Sequence, residues 1–364
     1  MGVGARIAPS LLAPRPLYLF WHLIEIFQLL MGNSKKNILI VTDHFDVHAD
    51  SVMIRLRELG HNPIRFRPQD LPSLTSLTLN ISDTDFNRRF VSKSETILLE
   101  TIHSVWWRKP KPLAPSPELR RAEAVFAYRE ITYTFKSIWA TLDCHWISAP
   151  EKITIAEDKV SQLLLARQLG FEIPRTLITT DPEQAIKFFD ECNGRIIYKT
   201  LSGPLVYSAN ENFPKEDLKM VFTSLLSKEK LMEHLDGIVH APCQFQEYIE
   251  KKLELRVTII EDEIFVAEID SQASEQTKID WRHYDAPMRV KKGQLPAEIA
   301  DRCFSFVKMF GLNYSAMDFI VTPDGRYVFL ESNPNGQWLF IEHQVPELKM
   351  REKMAQCLIR GKSR

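Results

Sequence analysis

The sequence lacks the features that mark several specialised classes of protein. Its 46 basic and 47 acidic side chains leave a net charge of −1, so the chain has no charge excess with which to attract nucleic acid or an anionic membrane. The five cysteines are widely spaced and include no CxxC pair. This spacing argues against a zinc ribbon or a disulfide scaffold and is typical of a reducing cytoplasm. We therefore expect a cytoplasmic globular protein whose partner is neither nucleic acid nor a membrane.

One largely apolar stretch, Leu17–Leu30, lies near the N-terminus. It contains three polar residues and is too short for a membrane span. Two arginines precede it, as in a signal peptide, but no A-x-A cleavage pattern follows. We expect residues 1–36 to be an extension outside the folded core, with a start codon placed upstream of Met31. A membrane anchor is the alternative.

The length of 364 residues exceeds what one hydrophobic core usually organises, so several domains are expected. From Asn37 the pattern predicts a βαβ unit with a strand at Ile38–Val41, a helix at Asp50–Leu59 and a strand at Pro63–Phe66. His44 and His48 are predicted to be polar residues of the first loop. The whole chain is predicted to be a mixed α/β (α+β) protein, with domains at 37–148, 149–245 and 246–360.

The segment Ser315–Asn335 predicts a β-hairpin. Asp324 and Gly325 separate two β-rich runs, and this dipeptide is typical of a two-residue type I′ turn, which needs positive φ at both central positions. Such a turn places Pro323 opposite Arg326. The register of the whole hairpin follows from that pair.

In this register Asp318 lies opposite Glu331, and the two-residue period of a strand places Asn333 on the same face as Glu331. Two carboxylates and an amide on a rigid strand pair suit Mg²⁺, which takes one or two protein carboxylates and fills its shell with water and phosphate oxygens. The alternative is a solvated hairpin face with unrelated acidic residues.

Four features occur in an order that resembles the ATP-grasp ligases, the superfamily that includes D-alanine:D-alanine ligase and glutathione synthetase. They are Lys159 early in a helix, Lys199 at a strand end, Gln246–Ile249 followed by Glu254, and the acidic hairpin. The resemblance spans roughly residues 37–353. It implies an ATP-grasp fold with an N-terminal βαβ pre-ATP-grasp domain, and ATP and Mg²⁺ as cofactors.

The resemblance also implies a role for each matching residue. Lys159 and Lys199 match the lysines that reach the α- and β-phosphates of ATP. The strand that binds the adenine edge in these ligases is matched here by Gln246, Glu247, Tyr248 and Ile249. Glu254 matches the carboxylate that accepts from the ribose hydroxyls. The family's magnesium ligands are matched by Asp318, Glu331 and Asn333. Arg256 and Arg289 are the candidates for stabilising the transferred phosphoryl group or the later oxyanion. Taken singly, each lysine would be read as an exposed residue of a helix or strand end, and Glu254 as an ordinary strand glutamate.

Further motifs narrow the resemblance to the microviridin-type ligases, which macrocyclise ribosomally made precursor peptides. The motifs are N-I-L-I-V-T-D from Asn37, V-W-W-R-K-P-K-P from Val105, I-Y-K-T-L-S-G from Ile197, E-I-D-S-Q from Glu268 and D-W-R from Asp280. Asp280, Trp281 and Arg282 are then expected near the peptide or acyl end of the site, or alternatively in a loop that packs through its tryptophan. A leader-bearing precursor peptide is the expected partner. Dimerisation is common in such ligases, and the oligomeric state stays open.

The implied chemistry is the conversion of a substrate carboxylate into an acyl phosphate, which a hydroxyl or amine then attacks to form an ester or amide. No convincing Ser/His/Asp or Cys/His combination suggests a covalent enzyme nucleophile. Two alternatives remain at this stage: a ligase that adds a free amino acid, and a nucleotide- or peptide-binding module without turnover.

Overall fold

The computed structural model describes residues 34–203, 205–206, 219–282 and 288–361. The predicted N-terminal extension lies outside the described residues up to residue 33. None of the described helices combines the length and hydropathy that crossing a membrane requires.

The chain opens with the predicted βαβ unit: β1 (Asn37–Val41), α1 (Val47–Glu58) and β2 (Asn62–Phe66). β1 pairs in parallel with β2, because the helical crossover α1 returns the chain in the same direction. The Asp46 carboxylate caps α1 by accepting from the backbone N–H of His48 at 3.1 Å. The predicted unit is confirmed.

The next segment holds a three-stranded antiparallel sheet that we did not predict: β3 (Thr75–Ile81), β4 (Phe86–Ser92) and β5 (Thr96–Leu98). The parallel sheet then continues with β6 (Ile102–Trp107), α2 (Arg121–Thr141) and β7 (His145–Ile147), in the strand order β2-β1-β6-β7. Phe66 stacks on Phe90 at 4.2 Å between ring centroids, so aromatic packing joins the two sheets.

The middle of the chain is built around a further, four-stranded sheet with the strand order β12-β9-β13-β8. Its elements are α3 (Pro150–Ala156), α4 (Lys159–Gln168), β8 (Thr176–Thr179), α5 (Pro182–Glu191), β9 (Ile196–Lys199), β10 (Leu205–Val206), β11 (Lys219–Met220), β12 (Ser224–Leu226), α6 (Lys228–Glu233), α7 (Leu235–Ile238) and β13 (Cys243–Glu247). The predicted helix caps are present, since Asp158 accepts from Ser161 N and Asp181 from Glu183 N. The predicted domain limit at residues 245 and 246 falls inside β13.

The last part forms a five-stranded antiparallel sheet with the order β16-β15-β14-β17-β18. Its elements are β14 (Leu253–Ile260), β15 (Glu263–Ile269), β16 (Val290–Lys292), α8 (Ala297–Met309), β17 (Tyr314–Val321), β18 (Tyr327–Asn333), α9 (Leu339–Gln344) and α10 (Met350–Arg360). Phe306 of α8 packs against Phe319 and Phe329 of the sheet, and all three are fully buried. The molecule is thus a mixed α/β protein, as predicted.

The C-terminal helix α10 returns to the first domain. Ser104 Oγ of β6 donates to Leu358 O at 2.7 Å, and buried side chains of α1 and α10 share one core. His48 lies inside α1, not in the preceding loop as predicted. Its Nε2 accepts the backbone N–H groups of Trp338 and Leu339 at 3.0 Å each. Burial lowers the pKa of this imidazole to about 3, so the ring is neutral and its unprotonated Nε2 can accept these hydrogen bonds. They join α1 to the segment before α9.

The turn of the β17–β18 hairpin differs from the prediction. Thr322 N donates to Arg326 O at 3.0 Å, which leaves a three-residue loop, and Gly325 alone has positive φ, at +87°. Pro323 therefore does not pair with Arg326. The side chain of Thr322 stabilises this longer loop by accepting from Arg326 N at 2.9 Å.

A second irregularity restores the predicted pair further along the hairpin. The register shifts between Asp318 and Phe319, where Phe319 pairs with Phe329 but Asp318 pairs with Glu331. The bulge adds one residue to β18 and offsets the extra residue in the turn. Asp318 and Glu331 are cross-strand neighbours, as predicted, although the predicted turn was wrong.

Candidate active site

Two adjoining cavities lie between the middle sheet and the last sheet. The first, here the inner cavity, is lined by the end of β13, residues 279–282 and the facing strands β14, β17 and β18. The second, the outer cavity, is lined by α4, the segment after β9 and residues 331–337. The lining residues common to both are Lys199, Thr223, Trp281, Arg282, Asp318 and Glu331. A ligand could therefore extend from one cavity into the other.

The acidic hairpin contributes a polar cluster at this junction. Asn333 Nδ2 donates to Asp318 Oδ2 at 3.1 Å and lies 3.4 Å from Glu331 Oε1. The bulge and the strand period therefore bring all three predicted residues together. Gln162 of α4 holds the intervening residue Ser332, because its Oε1 accepts from Ser332 N at 2.9 Å and its Nε2 donates to Ser332 O at 2.8 Å.

Two lysines from different elements face Glu331. Lys159 Nζ lies 3.4 Å and Lys199 Nζ 3.9 Å from Glu331 Oε2. Burial alone would raise the pKa of this carboxyl, but the cations Lys199, Lys159 and Arg282 hold that pKa well below its ordinary value. Desolvation lowers the pKa of Lys159, which also donates to Thr200 O at 2.8 Å.

Arg256 of β14 contacts both carboxylate oxygens of Asp318 on the next strand. Its Nη1 lies 2.8 Å and 2.7 Å from the two carboxylate oxygens, and its Nη2 donates to Gln337 O at 3.2 Å. Burial and the charge of Glu331 raise the pKa of Asp318, while Arg256 opposes that rise. The arginine compensates one of the two buried carboxylates and the lysines compensate the other.

This donor set fits a magnesium ion. No group of three His, Cys, Asp or Glu side chains able to hold a metal occurs among the residues the structure describes. Magnesium does not need such a group, because it binds through one or two carboxylates and retains water and phosphate ligands. Both oxygens of Asp318 contact Arg256, yet a carboxylate has about four lone-pair sites and can bind a cation as well.

The predicted nucleoside end lies in the inner cavity. Residues 246–249 line it together with Glu254, which is 4% exposed. The backbone N–H groups of Glu247 and Tyr248 already donate within the protein, to carbonyls at 2.9 Å. Lys251, which sequence reasoning missed, donates to Glu254 Oε1 at 2.8 Å and to Ile279 O at 2.9 Å. Glu254 is thus a buried carboxylate with a fixed orientation.

The segment Asp280–Arg282 both packs and lines the cavities. Trp281 is buried against Phe340, with ring centroids 5.5 Å apart. Asp280 Oδ2 accepts from Arg282 Nη2 at 2.6 Å and from Thr223 N at 3.3 Å. Burial would raise the pKa of Asp280, but the contacts with Arg282 outweigh it and lower that pKa to about 2. Asp280 is therefore ionised at neutral pH and orients Arg282 toward the junction.

The chain is similar to known proteins in both sequence and structure. Residues 37–154 match the MvdD pre-ATP grasp domain. The macrocyclase MdnC from Microcystis aeruginosa MRC, solved with the precursor peptide MdnA, is 31% identical, with 89% of this chain and 99% of that chain covered and a TM-score of 0.77. This chain belongs to the RiPP-associated ATP-grasp ligases, the family of ribosomal peptide maturases.

Two further members of this family have similar structures. A RiPP-associated ATP-grasp ligase of Chryseobacterium gregarium, in complex with ADP and a leader and core peptide, is 28% identical over 89% of this chain and 96% of that chain, with a TM-score of 0.80. The macrocyclase MdnB from Microcystis aeruginosa MRC is 28% identical over 89% and 99%, with a TM-score of 0.72. Comparison with curated proteins gives no significant match. The predicted ATP-grasp fold with its pre-ATP-grasp domain is confirmed.

Arg289, which the resemblance suggested as a second catalytic arginine, lies elsewhere. Its side chain is exposed and lines neither cavity, and its carbonyl accepts from Asp270 N at 3.1 Å. The structure therefore does not support a catalytic role for it. Sequence reasoning also missed Lys109, which lines the outer cavity although it is part of the V-W-W-R-K-P-K-P motif. The motif was the feature of the sequence that could have identified Lys109 as a site residue.

Proposed function

We propose that this protein is an ATP-dependent ligase that activates acidic side chains of a ribosomally made precursor peptide and joins them to hydroxyls or amines of that peptide. One observation carries the proposal. Asp318, Glu331 and Asn333 form one polar cluster that faces Lys159 and Lys199 where the two cavities meet. This is the charge pattern that a triphosphate and a hard cation require.

The relatives support the peptide as substrate. The Chryseobacterium ligase was solved with ADP and with a leader and core peptide, and MdnC was solved with its precursor peptide MdnA. Both align with this chain over 89% of its length. Binding of both a nucleotide and a peptide is what a ligase that activates peptide carboxylates needs.

In this proposal the inner cavity holds the nucleoside and the junction holds the phosphates. Residues 246–249 contact the adenine edge, and Glu254 accepts from the ribose hydroxyls. ATP carries about four negative charges, so cations must face its phosphates. Lys159 and Lys199 are in position to exchange part of their contact with Glu331 for phosphate oxygens, and Arg282 reaches the same junction.

Asp318, Glu331 and Asn333 would hold Mg²⁺, which when bound supplies charge neutralisation on the phosphate oxygens. The protein contributes the rigidity of these ligands. Gln162 clamps the strand at Ser332, and Arg256 fixes the Asp318 carboxylate from the opposite side. Ligands held in this way need little reorganisation when the ion arrives.

The reaction has two balanced steps. A carboxylate oxygen of the peptide attacks the γ-phosphorus of ATP, and ADP leaves, which gives an acyl phosphate. A hydroxyl oxygen or an amine nitrogen then attacks the acyl carbon, phosphate leaves and the nucleophile loses its proton, so the peptide loses one water in total. Arg256 is placed to stabilise the charge that develops on the acyl oxygens or on the transferred phosphoryl group. Catalysis would rest on positioning and electrostatics.

The test is the intact mass of acid-rich peptides, including MdnA and any short acidic peptide encoded beside this gene, after incubation with the protein, ATP and Mg²⁺. Loss of one water for each new bond supports the proposal, and fragmentation identifies the linked residues. The Glu331→Gln variant is the matched control and is expected to leave the peptide mass unchanged.

Two other outcomes would replace the proposal. A mass gain equal to an amino-acid residue, seen only when free amino acids are supplied, would show ligation to a free acceptor. Nucleotide binding without any ADP release or mass change for every peptide tested would favour a binding module.

A further inference from the structure

A third cavity, here the side cavity, opens next to the outer cavity. It lies between the loop after β1, the segment after β6 and the start of α9, and it shares Lys109 and Gln337 with the outer cavity. None of the roles derived so far uses it. Lys109 therefore stands at the boundary between the proposed phosphate site and an open recess of the protein surface.

The cations of the outer cavity differ in their partners. Among the described residues, five cations line it: Lys109, Lys159, Lys199, Arg256 and Arg282. The last four have carboxylate partners, which are Glu331 for both lysines, Asp318 for Arg256 and Asp280 for Arg282. Among the residues that the structure describes, no carboxylate lies within 4.0 Å of Lys109 Nζ. Of the described lining cations, Lys109 is therefore the one without a carboxylate partner, and it is available to a carboxylate that comes from outside.

The neighbours of Lys109 strengthen this contrast. Arg108 is buried, with Nε 3.6 Å from Asp46, and it also donates to Asn335 O. Lys109 is exposed to the open cavity, yet desolvation by the surrounding protein and the charge of Arg108 together lower the pKa of its ammonium to about 8. Asp46 and Glu157 oppose the effect, and Arg256 adds to it. A carboxylate that binds Lys109 would relieve this excess of positive charge.

The side cavity also offers an apolar wall. Phe45, which is 88% exposed, lines it together with Leu339 and Phe340. Val47, which is 64% exposed, lines it as well, so the cavity presents adjacent exposed apolar side chains of the kind that a ligand covers. The apolar wall and the unpaired ammonium lie side by side, which suits a peptide that carries an acidic side chain next to an apolar one.

We propose that Lys109 binds the peptide carboxylate that is to be phosphorylated, and that the side cavity receives the peptide residue next to it. This assignment rests on the proposed function, because it names the residue that selects the substrate of that reaction. It requires that the outer cavity take an acidic side chain in preference to its amide. Lys109 is then a substrate-binding residue supplied by the pre-ATP-grasp domain.

The first test uses the wild-type protein and does not depend on turnover. Lysine labelling by an amine-reactive reagent is followed by mass spectrometry at fixed ionic strength, with a short peptide of Glu, Asp and Trp or with its Gln and Asn counterpart. We expect the acidic peptide to slow the labelling of Lys109 by about threefold or more, since a paired ammonium holds its proton. Lys187, exposed on α5, is the internal control. Equal labelling of Lys109 with both peptides overturns the proposal.

The second test separates KM from kcat with the peptide that loses water. Lys109→Met is expected to raise the peptide KM about tenfold or more, as expected for loss of a charge-assisted hydrogen bond, with the ATP KM nearly unchanged. Lys109→Arg should recover most of the loss, and Lys187→Met should behave as the wild type. An unchanged peptide KM in a folded Lys109→Met variant overturns the proposal. If the Lys109→Met variant does not fold, the labelling experiment decides whether Lys109 binds the carboxylate. If no peptide loses water, the proposed function fails, and the labelling experiment still tests the role of Lys109.

Discussion

Replacing Glu331 with glutamine should separate the contribution of this side chain to stability from its contribution to turnover. Its carboxylate lies 3.4 Å from Lys159 Nζ and 3.9 Å from Lys199 Nζ. Glutamine keeps the shape of the side chain but removes the charge, so the two lysines would repel each other without compensation. The variant therefore tests the electrostatic argument with little change in packing.

The expected loss of stability follows from exposure. Glu331, Lys159 and Lys199 keep 13%, 21% and 10% of their side-chain surface exposed. Exposed ion pairs contribute up to about 1 kcal/mol, whereas removing one partner of a buried pair costs about 3–5 kcal/mol. The site lies between these limits, and we expect Glu331→Gln to lower the free energy of unfolding by about 2 kcal/mol. The low pKa of Glu331 means that its contribution is present at neutral pH and is lost only under strongly acidic conditions.

Thermal melting and ADP release are the two assays. We expect turnover to fall at least about 100-fold, because the proposed magnesium ligand is lost. Inorganic phosphate should stabilise the variant more than the wild type, since the anion can pair with the two lysines. Glu172→Gln is the control, because Glu172 pairs with Arg326 and these side chains are 42% and 51% exposed. A Glu331→Gln protein that keeps more than a small fraction of its turnover would refute the magnesium assignment.

Three further predictions concern the same site. Gly336→Ala would place a Cβ in steric clash with Ala316 Cβ and 2.9 Å from Arg256 Nη2. We expect it to lower the free energy of unfolding by about 1–3 kcal/mol, measured by thermal or urea unfolding, and to lower turnover. Gly237→Ala is the control and should be harmless, because its new Cβ meets nothing within 4 Å. The peptide KM should rise as the pH passes about 8, because the free enzyme then loses the proton of Lys109. An equally steep dependence of the peptide KM on pH in the Lys109→Met variant would contradict this. Chelation of Mg²⁺ should abolish ADP release and water loss while a fluorescent nucleotide analogue still binds, and turnover that persists in the chelator would exclude a required metal.

Much of the local structure was predictable because its causes are local. The βαβ unit from Asn37 follows from hydrophobic period and punctuation by Gly60, and Asp158 and Asp181 cap their helices as predicted. The three-stranded sheet at residues 75–98 was missed. Its strands are short and only partly buried, so their pattern is weak, and aromatic packing of Phe90 against Phe135 stabilises the sheet from a distant part of the chain.

The acidic hairpin shows how a correct pair can follow from an incorrect turn. The sequence predicts two strands and a turn with positive φ at Gly325, and all three are present. A side-chain hydrogen bond from Arg326 N to Thr322 selects a three-residue loop, and the bulge beside Asp318 then corrects the register. Both depend on contacts that spacing alone does not reveal.

By itself, the sequence determined the order of the elements and the residue types at the junction, because hydrophobic period, helix caps and charged side chains are properties of short segments. Only the tertiary structure decided which charges meet. It brought Arg256 to Asp318 across adjacent strands, left Arg289 outside the cavities, and placed Lys109 at the boundary of two cavities without a carboxylate of the described residues within reach. The physical reason is that an electrostatic interaction depends on distance and burial, and both are set by packing between segments far apart in the chain.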